Sequence, residues 1–180
     1  ARHGQTGWAA TVLSEQDKKK YQNAYKAHNK IDFIYNPVVI PGEHIQYNID
    51  SKTIISIGRL SPIKGFDLLI DVARIVFNKH PDWKWIIVGD GEEKERLIQK
   101  INIYNLNNHV YIEGFTKNIN KFYQESAIYV LTSRSEGLPV VLLEALSYKL
   151  PVVAFQCTEV ITEILYDNIN GFVVESFNID

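Results

Sequence analysis

The chain has 180 residues, of which 46% are hydrophobic and 22% are charged, with a formal net charge of -2. This is the composition of an ordinary globular protein, and the near-neutral charge gives no electrostatic case for a nucleic-acid partner, so we expect none. The single cysteine, Cys157, excludes a disulfide framework and a cysteine-based zinc site, and it favours a reducing compartment. The chain begins with Ala1 and contains no methionine, so we expect a fragment of a longer product.

Residues 1–50 predict the end of one domain followed by a linker. Ser14 is a suitable N-cap for a polar helix, and the Asn36-Pro37 pair is typical of the end of a strand. The predicted elements are a strand at 10–13, a helix at 16–28, a strand at 31–35 and a linker at 38–50.

Strands and helices alternate over residues 51–180, which predicts an α/β fold with a parallel sheet. Ligands of such sheets bind beyond the carboxyl ends of the strands, so the loops that follow the strands are the candidate sites. The sequence therefore predicts a Rossmann-like parallel sheet flanked by helices, preceded by a short piece of another domain. The predicted strands are 53–57, 85–88, 110–112, 128–131, 151–154 and 171–174, and the predicted helices are 65–79, 92–103, 118–125, 139–146 and 159–166.

The stretch 133–146 predicts an anion site at a helix N-terminus. Pro139 suits the first helical position, where its missing N–H costs nothing, and the free N–H groups of the first turn attract negative charge. Glu136 lies in the turn before this helix, and Glu144 is the one charged residue on its apolar length. Two readings stay open: both acids hold parts of an elongated ligand, or Glu136 caps the helix and Glu144 pairs with a cation.

Two cations follow the first strand of the predicted sheet. Gly58 and Arg59 come directly after it, and Lys64 lies just before the next helix. Gly58 permits close approach of the backbone to a ligand, and two cations beside the anion site are what a diphosphate requires. The alternative reading is that Arg59 and Lys64 are solvated loop charges.

Glycine-containing turns follow the next two strands. The Gly-Asp-Gly turn at 89–91 is not a dinucleotide fingerprint, because Lys94 stands where the third glycine is needed, and we predict a tight turn. Gly114, Phe115 and Thr116 follow the third strand, and Phe115 can equally be a core residue. No His, Cys, Asp or Glu grouping has metal-ligand spacing, so we expect no bound metal.

Glu136 and Glu144 are separated by seven residues, and Gly137, Leu138 and Pro139 follow the first of them. This pattern resembles the motif of the GT-B fold, retaining glycosyltransferases of family 4, and four motifs occur in the order of that family from residue 53 onward. The resemblance implies the C-terminal, nucleotide-sugar-binding domain of such an enzyme over residues 51–180. Residues 1–50 would then be the end of its N-terminal domain and the linker.

The resemblance also implies a role for each matching residue. Glu136 would hold the donor sugar and Glu144 the ribose hydroxyls, and the base would lie against the turn 114–116. Arg59 and Lys64 would stabilise the leaving diphosphate, so the implied catalytic residues are Glu136, Arg59 and Lys64. The implied donor- and nucleotide-binding residues are Gly58, Arg59, Lys64, Gly114, Phe115, Thr116, Glu136, Gly137, Leu138, Pro139 and Glu144.

The activity that the resemblance implies is transfer of a sugar from a UDP- or GDP-sugar to a saccharide or lipid-linked acceptor. The anomeric configuration would be retained, and the reaction would need no metal or other cofactor. Such enzymes serve cell-surface polysaccharide synthesis, so we expect a cytoplasmic protein. Peripheral association of the full-length protein with the inner face of the membrane stays open.

The acceptor side lies in the missing N-terminal domain of the family, so we expect this fragment to bind the donor nucleotide and to transfer no sugar. The alternative function is a non-catalytic module that binds nucleotide sugars. A nicotinamide-dependent enzyme is a third reading, and it lacks its fingerprint in this sequence.

Overall fold

A computed structural model describes residues 10–25, 31–34, 36–38 and 45–178 of the chain. The chain divides into two compact units, Ala1–Pro37 and Val38–Asp180. Residues 45–50, the described end of the predicted linker, belong to the second unit. There the Tyr47 hydroxyl donates a hydrogen bond to the Ala127 carbonyl at 3.1 Å.

The first unit contains two short parallel strands and one helix. Strand β1 (Ala10–Val12) pairs with β2 (Ile31–Phe33), and helix α1 (Glu15–Tyr25) lies between them in sequence. The predicted N-cap is present, because the Ser14 hydroxyl accepts a hydrogen bond from the backbone N–H of Asp17 at 3.0 Å. The predicted ends of this helix at 28 and of the second strand at 35 lie outside the described residues.

The second unit is built on a six-stranded parallel sheet, as the alternating pattern predicted. Its order is β5-β4-β3-β6-β7-β8, and every pairing is parallel. The sheet therefore grows from β3 in one direction through β4 and β5, and in the other through β6, β7 and β8. The strands are β3 (Thr53–Ile57), β4 (Lys84–Val88), β5 (Val110–Glu113), β6 (Ile128–Leu131), β7 (Val152–Phe155) and β8 (Gly171–Val174).

Helices alternate with these strands, and each begins one or two residues later than predicted. Pro139 is not the first residue of its helix: it takes the N-cap position with ψ 83°, and the helix begins at Val140. The helices are α2 (Phe66–Lys79), α3 (Lys94–Ile103), α4 (Ile119–Gln124), α5 (Val140–Ser147) and α6 (Val160–Ile164), and a 3-10 turn spans Pro62–Lys64.

Both faces of the sheet are covered by apolar side chains. Successive residues of a strand point to opposite faces, and Ile54 and Ile55 of β3 accordingly belong to two different buried clusters. Ile54 packs in the cluster that contains Leu69 of α2 and Leu97 of α3. Ile55 packs in the cluster that contains Leu142 of α5. The result is a three-layer Rossmann-like domain.

The position of the site follows from this strand order. Strands β4 and β5 lie on one side of β3, and the next strand in the chain, β6, pairs with the other side of β3. In open α/β sheets the crevice for a ligand opens at this switch point, beyond the carboxyl ends of the strands. The loops 58–65 and 132–139 are the ones that meet there.

Candidate functional site

The two loops at the switch point are in direct backbone contact. Gly65 has a left-handed φ of 66°, and a Cβ at this position would stand 2.0 Å from the carbonyl oxygen of Thr132. A side chain is therefore excluded both by conformation and by space. The Arg134 backbone N–H also donates to the Ile63 carbonyl at 2.7 Å. These contacts fix the loop after β3 against the loop after β6.

A largely buried ion pair joins the two loops of this crevice. The Lys64 ammonium lies 2.7 Å from Oε1 of Glu136, and the side chains are 26% and 8% exposed. Ser133, which is buried, donates its hydroxyl to the same Oε1 at 2.6 Å. Lys64 is thus not a solvated loop charge. Glu136 does not cap α5 either, because no side-chain hydrogen bond caps that helix.

The second predicted cation faces a different acid. Arg59 is 74% exposed, and its guanidinium lies 3.2 Å from Oε2 of Glu92, in the loop after β4. The prediction that Arg59 and Lys64 both stand beside the Glu136 turn is therefore correct for Lys64, while Arg59 contacts Glu92 instead. An exposed pair of this kind is weakly held, so Arg59 can change partner at little cost.

Glu144 has a partner that the sequence did not predict. Its Oε2 accepts a hydrogen bond from the Tyr123 hydroxyl of α4 at 2.8 Å. The alternative reading, in which Glu144 pairs with a cation, is not supported, since no ion pair to Glu144 occurs among the described side chains. Burial raises the pKa of Tyr123, and the neighbouring Tyr129 and the bond to Glu144 raise it further. This phenol is therefore a protonated donor at every physiological pH.

A clamp between Arg134 and Asp67 holds the crevice loops in place. The guanidinium makes two hydrogen bonds to the two carboxylate oxygens, both at 2.8 Å, and donates to the Pro62 carbonyl at 2.7 Å. That hydrogen bonding lowers the pKa of Asp67 below its ordinary value. Sequence reasoning gave Arg134 no role, because no spacing signal connects residues so far apart in the chain.

A cavity of about 300 Å³ opens on the β4 side of the crevice, lined by loops 58–59, 89–90 and 115–119. Gly89 lets the loops after β3 and β4 approach each other closely, because a Cβ there would lie 1.9 Å from the Gly58 carbonyl oxygen. Phe115 is 79% exposed and lines this cavity, so its reading as a core residue is wrong. Thr116 also lines it, and its hydroxyl accepts a hydrogen bond from the backbone N–H of Asn118 at 3.1 Å.

The remaining residues of the predicted site differ in exposure. Gly137 is exposed, whereas Leu138 and Pro139 are buried, so these two shape the turn. The Cβ position of Gly114 is open, with nothing within 4 Å. Cys157 lies near the ion pair: burial and the charge of Glu136 raise the pKa of its thiol to about 11, against the opposing effect of Lys64.

Within the described ranges, no group of three or more His, Cys, Asp or Glu side chains is placed to hold a metal ion. Among the same residues, no helix is long and apolar enough to cross a membrane.

Comparison with known proteins identifies the family. A family model described as glycosyl transferases group 1 matches residues 43–180. The amylovoran biosynthesis glycosyltransferase AmsD of Erwinia amylovora is 42% identical over 170 residues, which are 91% of this chain and 47% of that protein. The poly(ribitol-phosphate) α-N-acetylglucosaminyltransferase of Staphylococcus aureus is 32% identical over 169 residues, which are 94% of this chain and 34% of that protein.

The fold has the same relatives. A crystal structure of a mutant of S. aureus TarM, in complex with fondaparinux, α-GlcNAc-glycerol and UDP, aligns with a TM-score of 0.87 at 32% identity. The alignment covers 95% of this chain and 34% of that one. The chain spans about half the length of AmsD. It belongs to the glycosyl transferases group 1 family, and its six-stranded unit has the Rossmann-like fold found in the GT-B glycosyltransferases.

Proposed function

We propose that this chain carries the donor side of a retaining glycosyltransferase that uses a nucleotide sugar, with UDP as the nucleotide to test first. The acceptor would be a saccharide or a lipid-linked saccharide in cell-surface polysaccharide synthesis. The observation that carries the proposal is the Lys64–Glu136–Ser133 cluster at the switch point, next to the N-terminus of α5. AmsD is named as an amylovoran biosynthesis glycosyltransferase and the S. aureus relative as a poly(ribitol-phosphate) α-N-acetylglucosaminyltransferase, and these names support glycosyl transfer as the class of reaction.

The cluster has unused hydrogen-bonding capacity on both of its charged groups. Lys64 has three N–H donors, and one of them goes to Glu136, which leaves two for phosphate oxygens. Both donors to Glu136 end on Oε1, and no described residue donates to Oε2. Oε2 can therefore accept from a sugar hydroxyl while Lys64 contacts the diphosphate. The same cluster would thus contact both the sugar and the diphosphate, which lie on either side of the bond that breaks.

Arg59 would complete the phosphate site from the exposed side. Its pair with Glu92 is solvated, so exchanging that carboxylate for a diphosphate would cost little. Together with the N–H groups and dipole of α5, Arg59 and Lys64 would stabilise the negative charge that develops on the leaving group. These two cations would do what a metal ion does in other phosphate sites, and we propose a reaction that needs no metal.

Retention is proposed from the chemistry of the products. The S. aureus relative is named as an α-N-acetylglucosaminyltransferase. Sugars such as N-acetylglucosamine are linked to UDP in the α configuration, so an α-linked product means that the configuration is kept. The same outcome is proposed for this chain, and no side chain is assigned as a nucleophile.

Titration calorimetry on the folded chain tests the proposal, with UDP, GDP, NAD and uridine as the probes, each with and without a chelator. We expect one of the two diphosphates to bind, NAD not to bind, and the chelator to leave the affinity unchanged. Failure of a folded sample to bind either nucleoside diphosphate would overturn the proposal.

A transfer assay on the same sample completes the test. We expect no acceptor-dependent turnover from these 180 residues. Transfer requires the acceptor hydroxyl to be held at about 3 Å from the anomeric carbon, and this chain spans only about half the length of its relatives. A longer chain that includes the other domain should transfer sugar. Binding without turnover in that longer chain would favour a non-catalytic nucleotide-sugar-binding module instead.

A further inference from the structure

Tyr123 is a buried phenol beside the candidate site, and the proposed function does not yet use it. It lies on α4 and is 1% exposed. Its hydroxyl is 2.8 Å from Oε2 of Glu144 and 3.4 Å from the carbonyl oxygen of Val141. Both of these atoms are acceptors, so the phenol donates its single proton, chiefly to the nearer Glu144 oxygen. A buried hydroxyl aimed at a carboxylate is a fixed feature of the fold.

The ring of Tyr123 is held from two sides. It stacks on Tyr148 with centroids 5.0 Å apart and planes at 13°, and it packs against Tyr129 at 6.3 Å. Tyr129 and Tyr148 are themselves buried. Because the packing fixes the ring, it also fixes the point in space at which the hydroxyl meets Glu144.

Glu144 needs such a support because it is only half-buried and has no cationic partner among the described residues. Within the described part of the chain, the Tyr123 hydroxyl is the side-chain group that donates to its carboxylate. Without it, the flexible Glu144 side chain would sample several rotamers. With it, Oε2 is anchored and Oε1 is left to accept from another donor.

We propose that Tyr123 is a positioning residue, which holds the Glu144 carboxylate ready to accept hydrogen bonds from the ribose hydroxyls of the donor nucleotide. This inference rests on the proposed function and on Glu144 contacting the ribose. Its distinctive consequence is selectivity for ribose. A carboxylate held in one rotamer favours a ligand that presents hydroxyls to it, and a carboxylate that swings freely favours that ligand less.

The experiment is calorimetric titration of UDP and of 2′,3′-dideoxy-UDP against four forms of the chain. They are the unchanged chain, Tyr123→Phe, Glu144→Ala and Tyr148→Phe. The control Tyr148→Phe makes the same chemical change within the same ring stack, at a hydroxyl that has no hydrogen-bond partner among the described residues. Melting temperatures without ligand report on folding.

The readout is the ratio of the two affinities, which a purely structural role of Tyr123 would not move. We expect the unchanged chain to prefer UDP about tenfold or more, the size of one hydrogen bond to a charged group. Glu144→Ala should bring the ratio close to one, and Tyr123→Phe should lower it severalfold. Tyr148→Phe should leave it unchanged.

The outcomes separate this inference from the function on which it rests. No UDP binding by the folded, unchanged chain would overturn the proposed function. UDP binding with a full ribose preference in Tyr123→Phe, or with equal losses for both ligands, would overturn only the role of Tyr123. If the unchanged chain shows no preference for ribose, Glu144 does not contact the ribose, and this inference is then overturned as well.

A second variant covers the case in which Tyr123→Phe does not fold. Glu144→Asp draws the carboxylate back by one methylene, away from the hydroxyl, and leaves the aromatic stack intact. The ribose preference should then fall severalfold. A preference equal to that of the unchanged chain would contradict the proposal.

Discussion

Lys64 and Arg59 lie in the same loop, yet the protein places them in opposite environments. Lys64, on the β6 side, is mostly buried and pairs with Glu136, which also accepts a hydrogen bond from Ser133. Arg59, on the β4 side, is mostly exposed, and its guanidinium pairs with the exposed Glu92. The β6 side of the crevice is therefore preorganised, whereas the β4 side is adaptable.

The physical reason for the difference lies in solvent access. A carboxylate as buried as Glu136 must keep its partner, because a lone charge in that position is costly. A pair exposed to water gains little Coulomb energy and holds neither side chain in place. The β6 side can therefore orient a ligand, and the β4 side can close on it. Three predictions test this division, from the largest expected effect to the smallest.

The largest effect is expected from removing the buried cation. Lys64→Ala should lower the free energy of unfolding by about 2–3 kcal/mol, because it leaves the Glu136 carboxylate buried without its counter-ion. The figure is below that for a fully buried pair because water still reaches Lys64. Urea denaturation measures the change. Arg59→Ala is the matched control and should unfold like the unchanged chain; equal losses in the two variants would erase the distinction between the two sides.

The second prediction concerns the clamp that holds the preorganised side. Asp67→Asn should lower the free energy of unfolding by about 1 kcal/mol at neutral pH, since hydrogen bonds to a charged group are lost and water partly reaches the pair. Arg134 holds the pKa of Asp67 below its ordinary value of 3.8. The stabilisation is therefore fully present above about pH 4 and is lost as the pH falls through the folded-state pKa.

Denaturation of the unchanged chain and of Asp67→Asn between pH 7 and pH 2.5 measures this dependence. The difference in the free energy of unfolding between these two forms should become smaller below about pH 4. Asp90→Asn is the control at neutral pH, because Asp90 is exposed and its pair with Lys94 at 3.7 Å is weakly held; there it should unfold like the unchanged chain. A gap for Asp67→Asn that widens as the pH falls would contradict the assignment of the clamp.

The smallest effect is expected on the adaptable side. Arg59→Ala should weaken UDP binding about three- to fivefold and leave uridine binding unchanged, because Arg59 is exposed and would contact only phosphate. Lys64→Ala should likewise weaken UDP more than uridine. Because Arg59 is exposed, added salt should shrink its effect more than that of Lys64. Calorimetry in low and high salt provides the numbers.

The control for that series is Arg74→Ala, which removes the same charge from the exposed surface of α2, where Arg74 packs over Tyr104. It should bind UDP as the unchanged chain does. Equal losses of UDP and uridine affinity in Arg59→Ala would remove the phosphate role of Arg59.

Most of the fold could be predicted because its signals are local. Hydrophobic periodicity placed each strand of the six-stranded sheet within one residue at each end, and the alternation of elements predicted that the sheet is parallel. The start of α5 was one residue early, because the suitability of Pro139 for the first helical turn does not decide between neighbouring positions. Phe115 was ambiguous because a single aromatic residue in a loop has no period from which to read its burial.

The sequence by itself determined which residues could act at the carboxyl ends of the strands, since Gly58, Arg59, Lys64, Glu136 and Glu144 all follow from local pattern and resemblance. Only the tertiary structure decided their partners. Glu136 pairs with Lys64 across a sequence separation of 72 residues, and Asp67 pairs with Arg134 across 67 residues. Glu144 accepts a hydrogen bond from Tyr123, which is 21 residues away. Such pairings depend on which strands become neighbours and how deeply each loop is buried, and no short-range pattern in a chain encodes either of these.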